Sequence, residues 1–367
     1  MIPIYEPDLS SLEREYLLEA IDSGWISSQG SFLKKFERAF AERFDMQYAV
    51  TTSNCTTALH LALVALGIGP GDEVICPDLT FIAPANMVAL TGASLVLVDV
   101  EADTWNLSPE LTRLAITERT KAIIVVHTFG HAARMEELQS LSVQHGIPII
   151  EDNAEAPGGC YRDKILGSFG KVSCFSFFAN KILTTGEGGM VLTNDEKLYY
   201  KLRELRDHGM SRHKRYHFVA LGFNYRMTNM QAALGIAQLE RFEKILEHRQ
   251  RQEELYKHML SGNDSFSIRP QQPWSQSVHW MMTVQLNISG VRDALLERLK
   301  EKGIDCRQMI HPVHDAQHFK QHFVDRAYPI SKQVSYNSLH LPSSTQLTEE
   351  QIKWITGTFQ ELLKEFV

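Results

Sequence analysis

The 367-residue sequence predicts an α/β fold: a mostly parallel sheet covered by helices, followed by a smaller α+β part at the C-terminus. Between residues 48 and 151, apolar runs of strand length alternate with helical patterns. The runs are apolar along their length, as in strands buried on both faces. After residue 228 a long helical stretch passes from apolar to charged, and an α+β pattern follows it.

The first helical pattern covers residues 10–23, with Leu12, Tyr16, Leu17 and Ile21 on one face. Residues 25–30 break it, and helical spacing resumes over 33–44. Residues 48–52 form a short strand, and Ser53, Asn54, Cys55 and Thr56 open a helix reaching Leu66. Strands are expected at 73–76, 94–100, 122–127 and 147–151, with helices around 83–91, 109–116 and 135–145. A further strand, 172–177, leads into a glycine run at 186–189. One helix is expected from 229 to about 260, leaving the large domain (1–245) for a small one (246–367). In the small domain, strands are expected near 266–268, 278–286 and 305–309, with helices at 291–302 and 348–366. The sequence contains no internal repeat and no low-complexity segment.

Composition narrows the function. A formal net charge of −7 argues against a general nucleic-acid or anionic-membrane binder. Five cysteines with no CxxC pair argue against a disulfide framework or a zinc site. The N-terminus lacks the charged and apolar regions of a signal peptide, and no run is long enough for a membrane helix, so a reducing cytoplasm is expected. Gly67-Ile68-Gly69-Pro70-Gly71 follows a helix and contains proline, so it reads as a turn rather than a dinucleotide loop. His311 and His314 have no acidic or cysteine partner at ligand spacing.

Three features fall at carboxyl ends of expected strands, where open α/β sheets bind ligands. Lys181 stands between the strand 172–177 and Gly186-Glu187-Gly188-Gly189. Held there it is desolvated, which lowers its pKa and frees a nucleophilic amine for a Schiff base. A strand-end lysine with its ammonium in water is the alternative. Asp152 closes the run Ile149-Ile150-Glu151 and can keep a pyridine ring nitrogen protonated, or can simply cap a helix. The helix start at Ser53–Thr56 offers free amides and hydroxyls to an anion, or is a plain cap. A lysine for an aldehyde, a carboxylate for a pyridinium and a helix start for a phosphate together meet the needs of pyridoxal phosphate.

The chain resembles the sugar aminotransferases of the DegT/StrS type, a pyridoxal-phosphate family with the aspartate-aminotransferase fold. The blocks that carry the resemblance are GWISSQG (24–30), NCTTALHLALVALGIGPGDEVICPDLTFIAPAN (54–86), IIEDNAEAPGG (149–159), GSFGKVSCFSFFANKILTTGEGGM (167–190) and GFNYRMTNMQAALGIAQLER (222–241). The resemblance implies a large domain with a mostly parallel seven-stranded sheet (PLP fold type I), with residues 1–30 packing near the small domain. It implies that Lys181 carries the cofactor and shuttles a proton, and that Asp152 pairs with the ring nitrogen. Glu155 would lie near the ring hydroxyl and Phe81 would stack on the ring. Cys55, Thr56 and Ser176 would hold the phosphate; Cys55 stands where the family has glycine or alanine, so only its backbone amide carries over. Asn224 would reach the phosphate from a neighbouring subunit, which implies a homodimer with shared active sites.

The resemblance further implies amino transfer from L-glutamate to the C4 keto carbon of a nucleotide-linked 4-keto-6-deoxy sugar, with GDP as the expected nucleotide and O-antigen synthesis as the setting. Lys214, Arg215, Arg307 and His311 are the expected sugar-nucleotide contacts. The same chemistry on a dTDP- or UDP-linked sugar is an alternative. A dehydratase on this fold replaces the Schiff-base lysine with histidine, which Lys181 disfavours, and a non-catalytic regulator would have no need of Lys181, Asp152 and Ser176 together.

Overall fold

The computed structural model describes residues 1–366. Two helices, α1 (Ser11–Asp22) and α2 (Ser31–Arg43), precede β1 (Tyr48–Thr52). The chain then alternates through α3 (Cys55–Leu66), β2 (Glu73–Pro77), α4 (Ala83–Leu90), β3 (Ser94–Val98), α5 (Pro109–Ala115), β4 (Thr120–Val126), α6 (Met135–His145) and β5 (Ile149–Asp152). A short ribbon of β6 (Cys160–Tyr161) and β7 (Lys164–Ile165) leads to β8 (Val172–Ser176), β9 (Gly189–Thr193) and α7 (Glu196–Arg206). Next come α8 (Asn229–Glu240) and α9 (Phe242–Leu260). The C-terminal part holds β10 (Phe266–Ile268), β11 (Ser275–Gln276), β12 (Met282–Leu286), α10 (Arg292–Glu301), β13 (Arg307–Gln308), α11 (Pro329–Asn337), β14 (Ser338–Leu341) and α12 (Glu349–Leu363).

The main sheet has seven strands in the order β1-β9-β8-β5-β4-β2-β3. Only β9 runs against the others, pairing antiparallel with both β1 and β8. Both faces are apolar, as the continuous runs require. In β4, Ala122, Ile124 and Val126 enter one core with α3 and α7, while Ile123 and Val125 enter another with α6. On the second face α2 presents Phe36, Phe40 and Phe44 to Phe175 and Phe177, and Phe40 meets Phe175 edge-on at 5.0 Å. This aromatic cluster pins the end of β8, from which the chain runs to Lys181. A four-stranded antiparallel sheet, β10-β12-β14-β13, carries the C-terminal part. Residues 2–4 lie against it: Ile2 N–H donates to Gly303 O at 2.7 Å and Ser343 N–H to Ile4 O at 2.8 Å.

Several expectations need correction. The helix expected over 229–260 is two helices meeting at Arg241 (φ −99°, ψ 2°). No glycine or proline marks the break; Arg241 reaches back to Asp8 and Glu13 near the N-terminus, a contact that local sequence does not show. The second of these helices runs without interruption through residues 245 and 246. The strand expected over 278–286 begins only at Met282, because His279 turns left-handed at φ +52°. The strand expected over 305–309 is just Arg307–Gln308. Elements α7, β9, α11 and β14 were not expected from the periodicity, although β14 is central to the small sheet.

Candidate active site

The carboxyl ends of β1, β2, β4, β5 and β8 open on a cavity of 510 Å³, closed from the other side by residues of the C-terminal part. Lys181, Asp152, Glu155, Ser176, Cys55, Thr56, Phe81 and Arg307 all line it. Larger clefts of 720 and 1010 Å³ open at the opposite end of the sheet, around Gly146 and Pro148, and gather no comparable set of groups.

Lys181 lies five residues beyond β8, its side chain 12% exposed. Burial lowers its amine below the ordinary lysine range, opposed by the charges of Glu155 and Asp152. Its Nζ stands 3.8 Å from Glu155 Oε1 and 3.5 Å from the centre of the Trp280 ring. Two of the glycines after it answer to close approaches of the chain. A Cβ on Gly189 would sit 2.5 Å from the Asn54 backbone, and one on Gly188 would strike Thr185 Oγ1. Gly189 lets β9 pass against the start of α3.

That start is a capping box: Asn54 accepts from Thr57 N–H, and Thr57 Oγ1 reaches back to Asn54 N. The next two N–H groups, of Cys55 and Thr56, have no protein acceptor among the described residues. Both residues line the cavity, so two free amides and a helix dipole face it. Ser176, at the end of β8, stands in the same wall.

Asp152 ends β5 on the cavity floor. Its Oδ1 accepts from Ala154 N–H at 2.9 Å and lies 4.0 Å from Cys55 Sγ. Burial raises its carboxyl to about 6, an effect that the Ala154 bond and Lys181 only partly offset. Among the described residues no donor reaches Oδ2. Burial likewise raises the neighbouring Glu155, whose Oε2 accepts from Phe129 N–H at 2.7 Å. Burial also pushes the Cys55 thiol well up, so it stays neutral. A buried aspartate with a free oxygen fits a cationic ring nitrogen, and two free amides fit a phosphate. The Phe81 ring, 59% exposed on the cavity wall, fits the face of a planar ring. The residues present therefore suit pyridoxal phosphate.

A model of the DegT/DnrJ/EryC1/StrS aminotransferase family matches residues 7–360. The chain belongs to that family. It is similar to GDP-perosamine synthase of Escherichia coli O157:H7, with 40% identity over 364 residues and 99% of each chain covered. GDP-perosamine synthase of Caulobacter vibrioides is 44% identical over 365 residues, which cover 99% of this chain and 98% of that one. Among solved structures, the PMP-form of the putative sugar aminotransferase Spr1654 from Streptococcus pneumoniae superposes with a TM-score of 0.95 at 26% identity, covering 100% of both chains. A PLP-form of the same protein is also known. This family member is a sugar aminotransferase that uses pyridoxal phosphate.

The remaining expected site residues lie elsewhere in the chain. Asn224 does not line the cavity; its Oδ1 accepts from Arg226 Nε at 2.9 Å, and its backbone bridges to Asp207. Lys214 and Arg215 are exposed on the loop after α7. His311 is exposed and 3.2 Å from Gln308, which does line the cavity. His314 pairs instead with Asp78 at 2.7 Å, tying the chain after β13 to the end of β2.

Of the wall contributed by the C-terminal part, sequence reasoning reached Arg307 and missed Trp280 and His340. Trp280 stacks parallel to Phe129 at 5.9 Å and 13°. Buried His340 bonds Thr283 Oγ1 at 2.8 Å, and burial lowers it to about 3, so its ring is neutral. Trp280 falls in the strand expected over 278–286 and reads as one of its core residues, while His340 falls where no strand is expected, and no local signal marks either as a cavity residue.

Proposed function

We propose that this protein transfers the amino group of L-glutamate to the C4 keto carbon of a GDP-linked 4-keto-6-deoxy sugar, making GDP-perosamine from GDP-4-keto-6-deoxy-D-mannose. The observation that carries the chemistry is the meeting of Lys181, Asp152, Glu155 and the start of α3 in one cavity. The likeness to two GDP-perosamine synthases over nearly the full chain supports the choice of sugar.

Bound pyridoxal phosphate supplies an aldehyde that exchanges amino groups and a ring that accepts the electron pair left at a substrate carbon. The side chains divide the remaining tasks. Lys181 would hold the cofactor's aldehyde carbon, and its amine would carry a proton to and from the substrate carbon. Its burial suits that task, because a lysine held below its ordinary pKa gives up its proton more readily. Asp152 would keep the ring nitrogen protonated, and Glu155 would serve the ring hydroxyl. The Cys55 and Thr56 amides and Ser176 would seat the phosphate, and Phe81 would cover one ring face. Arg307, its side chain 62% exposed, would engage the sugar nucleotide, with the exposed Lys214, Arg215 and His311 as further contacts.

The working unit we infer is a homodimer whose sites are shared, with Asn224 reaching the phosphate of the partner's site. In support, the stretch before Asn224 exposes Tyr216 (71%) and Leu221 (89%), apolar surface that suits cover by a second copy. The division of the chain near residue 245 leaves the sugar between a cofactor-binding part and a C-terminal part. Among the described residues no helix is long and apolar enough to cross a membrane. Five free cysteines suit a reducing cytoplasm.

Incubating purified protein with glutamate and a panel of GDP-, dTDP- and UDP-linked 4-keto-6-deoxy sugars tests the reading. An amino sugar is expected on the GDP substrate. A tenfold or greater preference for another nucleotide, about 1.4 kcal/mol, would remove the GDP assignment and leave the aminotransferase in place.

A further inference from the structure

The bridging helix α9 carries Arg249, 1% exposed and among the largest fully buried side chains of the protein. Its hydrogen bonds all go to neutral oxygens. One Nη donates to Trp280 O at 3.0 Å and, at the limit of reach, to Ser343 O at 3.4 Å. The other donates to the Tyr5 hydroxyl at 2.9 Å, and Nε has no partner among the described residues. Among the described residues no carboxylate pairs with this buried guanidinium, which makes it a poor source of stability, since desolvation is opposed only by hydrogen bonds. Its two neighbours suggest another use.

Both neighbours end on Lys181. The Tyr5 hydroxyl donates onward to Lys181 O at 2.9 Å. Trp280 sends its indole N–H to Asn180 O at 2.6 Å, one residue before the lysine, and lays its ring 3.5 Å from Lys181 Nζ. Arg249 thus grips the lysine by two routes, one to its backbone and one to its amine. One turn further along α9, Glu253 pairs with His279, securing the left-handed turn that aims Trp280 inward.

We propose that Arg249 is a positioning residue for the transamination. It fixes the backbone of residues 180–181 through Tyr5 and Trp280, and it keeps the Trp280 ring under the Lys181 nitrogen, where a cation gains from the ring face. The proposal rests on the reading of Lys181 as the cofactor-bearing lysine. It also couples α9, which joins the two parts of the chain, to the reacting group.

Arg249→Lys tests it, because the charge survives while the planar fork that holds two partners at once is lost. With cofactor bound, the pH midpoint of the visible band is expected to fall by about half a unit or more, since the cationic nitrogen loses its ring face. The glutamate half-reaction is expected to slow about tenfold, with the half-saturating glutamate concentration nearly unchanged. Tyr5→Phe, which removes one hydroxyl, serves if the first variant does not fold, and should slow the same half-reaction to a lesser degree. A lower thermal midpoint with an unmoved band and parental half-reaction rates would overturn the proposal, since that is the mark of a merely structural residue. Borohydride trapping and peptide mapping of the parent separate the two levels. Label on Lys181 with unchanged variants overturns the positioning role alone, whereas label on another lysine overturns the reading beneath it as well.

Discussion

Lys181 Nζ and Glu155 Oε1 stand 3.8 Å apart, near enough for attraction and too far for a hydrogen bond. The amine is therefore held within reach of a carboxylate without being locked to it. Burial lowers the amine, and the charges of Glu155 and Asp152 oppose that shift.

Replacement of the lysine is the plainest test. Lys181→Ala is expected to lose the cofactor band that borohydride fixes covalently in the parent protein. Mass spectrometry of the reduced protein reads the outcome, and cofactor still trapped on the variant would show that another amine carries it.

Asp152 leads to two opposite effects of one substitution. Asp152→Asn keeps the size and removes the charge that holds a ring nitrogen protonated, so turnover should fall by about two orders of magnitude. Without cofactor the same change should stabilise the fold at pH 8. The buried carboxyl titrates at about 6 rather than 3.8, so between these values the folded state binds more protons than the unfolded one. Stability due to Asp152 therefore falls as pH rises through that window and stays low above it. The loss is about 3 kcal/mol at most, and urea unfolding of both apoproteins at pH 8 and pH 4 should show the variant's advantage only at the higher pH.

A shared site has a distinctive signature in mixtures. Inactive Lys181→Ala and impaired Asn224→Ala chains, mixed under exchange conditions, should regain activity above either alone. Each mixed dimer would hold one site with both residues intact. Restoration of nothing by mixing, with Asn224→Ala inactive by itself, would place Asn224 within its own subunit.

Arg307 lines the cavity and has only a 3.9 Å contact with Asp305 to hold it. Arg307→Ala is expected to raise the KM for the sugar nucleotide about tenfold, the scale of a lost hydrogen bond to a charged group, and to leave the glutamate half-reaction unchanged. Stopped-flow measurement of the two half-reactions distinguishes this from a general loss of activity. An equal slowing of both would move Arg307 out of nucleotide recognition.

The sequence by itself determined the alternation of buried strands and helices, together with the groups placed at the strand ends. Asp152 closing an apolar run, Ser53 to Thr56 opening a helix, and Lys181 a few residues past a core strand are all written in neighbouring residues. Hydrophobic period and capping chemistry act over a few positions, which is why these features are legible in the chain. Only the tertiary structure decided what faces them. Trp280 lies 99 residues from Lys181, and Tyr5 lies 176 residues from it in the other direction, yet both touch it. The break at Arg241 answers to Asp8 and Glu13, and the reversed course of β9 answers to β1 and β8 on either side. Such choices depend on long-range packing and ion pairing, which leave no periodic mark on the residues that make them.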